Sequence, residues 1–475
     1  MILNVILVWL LCTQCCGIVQ AFIDSSSIRH RHPNIAQYPL QMTLDDTFAF
    51  PQQTPHSGRH FVPSHPAYQR KMFGIFKRPR RKRFMEGWYY RLTIPEENVS
   101  FAFIISIEDP GTDSKLKLSC IQVVGPDDSY LVQADRDDSK FWAHKNQQAL
   151  GCNFRYVSDE VSEEMKYETA LTQEQWKENV ESGFQILPQQ FLGRVDGHDG
   201  SQGGVLPGQG VPGFCEFDFS VEPLCGWGSQ KSTGGWLASY AVFEPHWQVT
   251  LADARATGSV VWNNKCYNFV DQPFYAEKNW GAALPAKWYW TQCNSFEGYD
   301  RLSVTAGGGV RKVPFGQTES LGMVGIHHNE TFYEAVPWAN GYMDWNVSTW
   351  GFWNLTGRST SGDQPFDAEV TYELDPIEMP GLVFRAPSPD EGMVYFCRDT
   401  FEANVTLSLW HLEWNGKEYV RLLPPIIDKA KSRQGGGEIG GKALVVILDK
   451  KIAAEAGNTG NVAPTLQATT SSEQP

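Results

Sequence analysis

This sequence predicts an all-β protein of two barrel or sandwich domains with short helical insertions, and three observations carry that expectation. Short runs of β-branched and aromatic residues recur from Phe84 onward, separated by Asn, Gly, Pro and Asp turn formers at the spacing of antiparallel strands. The 475 residues exceed what one small core holds, so two folded domains are expected. Aromatic residues make up 13% of the chain, with 17 Trp. Such rings either fill a β core or line an apolar pocket.

Taken in order, residues 3–12 form an apolar run too short to span a membrane, and Val19-Gln20-Ala21 offers small residues for cleavage before Phe22. Residues 1–21 therefore read as a signal peptide. The Ser- and Arg-rich, acid-poor stretch after it reads as a transit-like leader and linker over 22–50. Residues 51–230 read as an N-terminal β domain. Its basic run Lys77–Arg83 is either a solvated loop or a contact for an anionic membrane surface. Trp88–Ile94 and Phe101–Ile107, joined by Pro95-Glu96-Glu97-Asn98, read as a hairpin. Residues 159–185 are more helical and acidic. The Gly-rich stretch 193–213 reads as a loop and marks the domain boundary. A C-terminal β domain is expected over 231–447. Its strands include Trp236–Phe243, Trp247–Leu251, Ser259–Trp262, Trp288–Cys293, Leu302–Ala306, Met323–His327, Phe332–Val336 and Val405–Trp410. Turns are expected at Asn263-Asn264, Gly307-Gly308-Gly309, His328-Asn329 and Asn415-Gly416. Residues 448–475 have the composition of a disordered tail.

Composition and motifs exclude several functions. The 54 acidic against 40 basic residues give a net charge of −14, which argues against nucleic acid as a partner. Ten cysteines are present, three of them in the leader; the other seven show no CxxC spacing and are odd in number. Neither a disulfide framework nor a zinc site is expected. Gly307-Gly308-Gly309 has no following Lys-Ser/Thr and is no phosphate loop. No Gly-X-Ser-X-Gly elbow occurs. His327 and His328 are adjacent, so on a strand they face opposite ways and cannot chelate one ion.

Several segments, by their order and spacing, resemble the tocopherol cyclase family. They are Pro55-His56-Ser57-Gly58, Phe84-Met85-Glu86-Gly87-Trp88-Tyr89-Tyr90, Gly235-Trp236-Leu237-Ala238 and Val242–Gln248. Tyr275-Ala276-Glu277-Lys278-Asn279-Trp280-Gly281, Lys287–Asn294, Thr305–Gly309, Val336-Pro337-Trp338, Arg385-Ala386-Pro387 and Cys397-Arg398-Asp399-Thr400 continue the series. The resemblance implies two lipocalin-like barrels related to carotenoid 1,2-hydratases. It also implies a prenylated hydroquinone substrate, closure of a chroman ring without metal or redox cofactor, and a plastid location at a membrane or plastoglobule lipid surface. Alkene hydration and non-catalytic lipid binding are the competing readings.

The chemistry selects candidates. Protonating a prenyl double bond needs a strong acid kept dry, and a carboxyl in an apolar pocket is held protonated by desolvation. Glu277 is the first candidate. Strand alternation puts Tyr275 and Asn279 on its face and Lys278 on the other. Carotenoid hydratases, which also protonate an alkene, resemble this chain in a Tyr-X-Asp at the same place, which favours Tyr275 as its partner. A carboxylate capping the turn before Gly281 is the alternative. His246 is the second candidate, either to deprotonate the phenol or to hold Glu277, against a plain core histidine. Glu244 shares its face and suits either role. Glu86 reads as structural, and Asp399 as an ion pair with Arg398. Trp88, Asn279, Trp280, Trp288, Trp290 and Trp338 are candidates to line the substrate pocket.

Overall fold

A computed structural model describes residues 56–61, 83–158, 170–197, 213–228, 231–239, 245–282, 284–285, 287–312, 318–347, 350–362, 364–388 and 390–441. The leader, residues 77–82 of the basic run, Glu244 and the tail lie outside them.

The described chain is all-β. Two eleven-stranded antiparallel sheets follow one another, the first from Met85 to Gly281 and the second from Lys287 to Gly441. One curls into a half-barrel and the other into a nearly closed barrel. Each is a meander whose two edges are consecutive strands. The first opens between Tyr130–Asp135 and Phe141–Ala143, the second between Thr331–Ala335 and Gly341–Asn346. Closure around each lobe comes from distant pairing. Strand Met85–Ile94 lies against Lys265–Gly281, and Lys287–Cys293 against Ile427–Gly441.

Strand alternation sorts the side chains into three main cores, beside a small cluster of Leu171, Trp176, Val180 and Leu192. From Met85–Ile94, Trp88, Tyr90, Leu92 and Ile94 enter the interior of the first lobe, where Phe101, Phe103, Phe191, Phe217, Phe219 and Phe274 fill the space. Tyr89 points the other way, into a layer between the lobes. In the second lobe Tyr289 and Cys293 face inward, while Trp288 and Trp290 join that same intermediate layer. Arg91 ties the layer together. Its guanidinium donates to the Gln292 side chain at 2.7 Å and to the Gln434 carbonyl at 2.5 Å, and sits over Phe401.

Several sequence expectations are corrected. The first sheet runs through Gly281, so the chain crosses between sheets at 282–286, not at 230. The Gly-rich stretch suggested a boundary only because distant strand pairing leaves no local mark. Residues 193–196 belong to strand Gln190–Asp196. In 159–185 the described helix is confined to Gln173–Asn179, capped by Thr172 and Gln175, with strand after it. Gly235–Ser239 is a 3-10 turn, not a strand. Gly307-Gly308-Gly309 is not a turn but the middle of strand Leu302–Lys312. A Cβ at Gly307 would lie 3.1 Å from the Trp247 ring, and one at Gly308 2.6 Å from Tyr289, so glycine there admits aromatic rings. Arg83, the described end of the basic run, turns inward to pair with Glu108.

One buried ion pair braces the first lobe. The Lys278 ammonium lies 2.6 Å from Glu86 and donates to the Gly58 carbonyl at 2.6 Å. Glu86 also accepts the backbone N–H groups of His60 and Phe61, each at 2.9 Å. Burial alone would raise the Glu86 carboxyl, but Lys278 and His60 overcome it and hold it at about 2. Removing one partner leaves an uncompensated buried charge, which costs about 3–5 kcal/mol. Lys278→Met should lose that much in urea unfolding, and the double change Lys278→Met/Glu86→Leu should recover most of it. Because the folded-state value is depressed, the stabilisation is present above the ordinary carboxylate value of 4.5 and fades as pH falls toward about 2.

Candidate active site

Between the lobes lies a cavity of about 280 Å³, lined from both sheets. Trp247, Trp288, Trp290 and Trp338 form much of its wall. Glycines make room for them: a Cβ at Gly440 would clash with the Trp288 ring, and one at Gly436 would lie 2.8 Å from Trp290.

Glu277 opens onto this cavity. Its Oε2 accepts three hydrogen bonds: the Tyr275 hydroxyl at 2.6 Å, Trp247 Nε1 at 2.8 Å and Trp290 Nε1 at 2.8 Å. Asn279 donates to Oε1 at 3.3 Å. Tyr275 and Asn279 share its strand face, as alternation requires. Trp247 comes from the neighbouring strand His246–Trp262, and Trp290 from the other lobe. Burial pushes the carboxyl up to about 7 against the pull of the Tyr275 and Trp247 donors, and the charge of Glu438 adds to the rise. Glu277 is not a turn cap. Its ladder partners are Tyr89 and Val249, well inside the sheet.

The other candidates sort by geometry. Asn279, Trp288, Trp290 and Trp338 line the cavity; Trp88 borders it, but its ring lies in the first-lobe core against Lys278. Trp280 is not among the lining residues. It stacks on His60 with ring centres 4.0 Å apart and on His246 at 4.9 Å. His246 touches the cavity but pairs in register with Trp280, on the strand face opposite Glu277. Among the described residues no hydrogen bond joins it to Glu277. Burial and nearby His60 lower it to about 4, so it is neutral near pH 7. Asp399 is no partner of its neighbour Arg398, which lies over Trp350 and donates to the Pro380 carbonyl. Adjacent strand residues face opposite ways, and Asp399 points into the layer between the lobes.

Three residues of the site were missed from sequence: Trp247, Tyr89 and Glu438. Trp247 comes directly after His246, so the same alternation that carries His246 away from Glu277 carries Trp247 to it. Glu438 stands in Gln434-Gly435-Gly436-Gly437-Glu438-Ile439-Gly440, where glycines hide the strand pattern.

A family profile described as tocopherol cyclase-like matches residues 82–441. The chain belongs to the tocopherol cyclase-like family. Among its relatives, the chloroplastic tocopherol cyclase of Zea mays is 32% identical over 439 residues, covering 89% of this chain and 85% of that one. A probable chloroplastic tocopherol cyclase of Oryza sativa subsp. japonica is 33% identical over 403 residues, covering 81% and 79%. Of solved structures, kievitone hydratase from Nectria haematococca aligns with 76% of this chain and 89% of its own, at 10% identity and a TM-score of 0.37. In this member of the tocopherol cyclase-like family, Glu277 is a buried, hydrogen-bonded carboxyl lining the cavity.

The Tyr275 hydroxyl favours the charged form of Glu277, so removing it should raise the carboxyl further. Infrared titration of the protonated-carboxyl band is expected to give a midpoint near 7 in the parent and a higher one in Tyr275→Phe. An unmoved midpoint would contradict this assignment.

Proposed function

We propose that this protein is a tocopherol cyclase, protonating the prenyl double bond of a methylated phytyl-benzoquinol so that the ring oxygen closes a chroman. The observation that carries the reading is Glu277: a carboxyl at about 7, opening onto a tryptophan-walled cavity, in a chain of this family.

Oε2 is occupied by three donors, which leaves Oε1 to carry the transferable proton toward the cavity. After transfer, the same three donors stabilise the carboxylate left behind. The proton goes to the less substituted alkene carbon and a tertiary cation forms. Indole faces stabilise a desolvated cation by about 2 kcal/mol. The phenol oxygen, held on the same molecule, captures it. The indole wall also keeps out water, which would give a tertiary alcohol instead. The volume of about 280 Å³ is just below the usual range of small-molecule sites, about 300–1,000 Å³, and suits the quinol head with the first isoprene unit.

A plastid location is inferred from the chloroplastic relatives and agrees with the leader expected over residues 1–50. Trp236, 56% exposed, directly precedes the cavity-lining Leu237 and Ala238, which suits substrate arriving from a membrane or plastoglobule surface.

Incubating the recombinant protein with 2,3-dimethyl-5-phytyl-benzoquinol tests the reading. Chroman is the expected product. A tertiary alcohol would make the protein a hydratase, and bound but unchanged quinol would make it a carrier. Glu277→Gln should lower kcat by about 10²–10⁴-fold. In the parent, activity should fall as pH rises through about 7, where Glu277 loses the proton it must donate.

A further inference from the structure

Ring closure moves two protons: one to the alkene and one away from the phenol oxygen. Glu277 accounts for the first. A second carboxyl faces the same cavity. Glu438 lines it from the second lobe, on strand Ile427–Gly441. It is half-buried and accepts a hydrogen bond from Trp288 Nε1. The Cys397 thiol also bonds to it.

Asp399 stands directly opposite Glu438 in the ladder with strand Gly392–Trp414, so the two carboxyls share one face. Asp399 is 1% exposed, and neither of its oxygens meets a side-chain donor. Like charges so placed do not both ionise, and the pair holds one proton between them. Burial raises both carboxyls, but Trp288 and Cys397 donate to Glu438 and oppose the rise there, whereas Asp399 has no such side-chain donor and the Glu438 charge drives it further up, so the proton rests on Asp399. Glu438 is left as the carboxylate. Its charge in turn helps keep Glu277 protonated, which is the division expected of an acid and a base in one site.

The other charged and titratable groups facing the pair are Tyr89 and Arg91 from strand Met85–Ile94, Asp128 from the first lobe, and Glu277. Arg91 favours ionisation of the pair and Asp128 opposes it. Tyr89 is 8% exposed, lines the cavity, and its hydroxyl has no hydrogen-bond partner among the described residues. A buried hydroxyl left unmet is costly. A ligand hydroxyl at this end of the cavity would satisfy it. Tyr89 and Glu438 thus mark a polar end for the quinol oxygen, inside an otherwise apolar wall.

We propose that Glu438 is the base of ring closure, taking the phenol proton as the C–O bond forms, with Asp399 as the positioning residue that keeps the shared proton off it. This rests on Glu277 being the acid. The step balances without a co-reactant. The Glu277 O–H bond breaks as the alkene C–H bond forms, and the phenol O–H bond breaks as the C–O bond forms. The proton gained by Glu438 returns to Glu277 through solvent when the product leaves.

The test incubates the quinol in D₂O with the full chain and reads two things: chroman formed, and deuterium in the prenyl chain of recovered substrate. Glu277→Gln should lose both. Glu438→Gln should lose about 100-fold or more in chroman while deuterium exchange continues, because protonation of the alkene still occurs and reverses. Thermal unfolding and quenching of tryptophan fluorescence by added chroman check that the variant folds and binds. If Glu438→Gln does not fold, Glu438→Asp, which keeps the carboxylate but withdraws it, should show the same split to a smaller degree. Chroman formation at the parent rate in a Glu438 variant overturns the proposal, as does loss of exchange together with chroman. Absence of chroman from the parent protein would instead sink the cyclase reading itself.

Discussion

A carboxyl cannot be taken out of water without donors to meet it, and at Glu277 the donors come from both lobes. Tyr275 and Trp247 belong to the first sheet and Trp290 to the second, and all three converge on one oxygen. The site therefore exists only when the lobes are docked. Docking in turn depends on the layer between them, where Arg91 reaches the backbone and side chains of the second lobe. The interior of the first lobe does not compete for ligand, since phenylalanines fill it. The space left for chemistry is the seam.

Strand alternation keeps two opposite electrostatic demands apart on one strand. Lys278 sits directly after Glu277, and an ammonium beside an acid would ionise it. Alternation sends Lys278 into the first lobe, where Glu86 and the Gly58 carbonyl absorb its charge. Glu86 is thereby held ionised at about 2 while Glu277, one face away, rises to about 7. Two buried carboxyls thus differ in role because each meets a different set of neighbours.

Period-2 reasoning found the parts of this arrangement that lie within one strand. It placed Tyr275, Glu277 and Asn279 together and Lys278 opposite, and it found the hairpin of Trp88–Ile94 with Phe101–Ile107. It failed where register between strands decides. His246 and Trp247 are equally visible in sequence, yet only the pairing of His246 with Trp280 shows which one reaches Glu277. That pairing passes through register shifts between Val249 and Leu251 and again before Ala254, which composition does not reveal. Gly307–Gly309 read as a turn, and the glycines around Glu438 hide a strand, because the reason these residues are strand lies in the rings of Trp247, Tyr289 and Trp288 packed against them. The boundary at 230 failed for the same reason: strands nearly two hundred residues apart close the first sheet.

The fate of a protonated alkene depends on which nucleophile is nearest. An intramolecular phenol has an advantage that no dilute water matches, because well-oriented groups reach effective molarities of about 10⁵–10⁸ M. That advantage holds only if the chain is folded toward the ring when the cation forms. In the proposed reaction the seam would supply this shape: indoles from both lobes line its apolar part, and Tyr89 and Glu438 offer the ring oxygen a polar end. The same proton donor in a wetter or straighter cavity would hydrate the alkene. In the proposed reaction the outcome would then lie as much in the walls as in the acid, including the glycines Gly436 and Gly440 that leave room for Trp290 and Trp288.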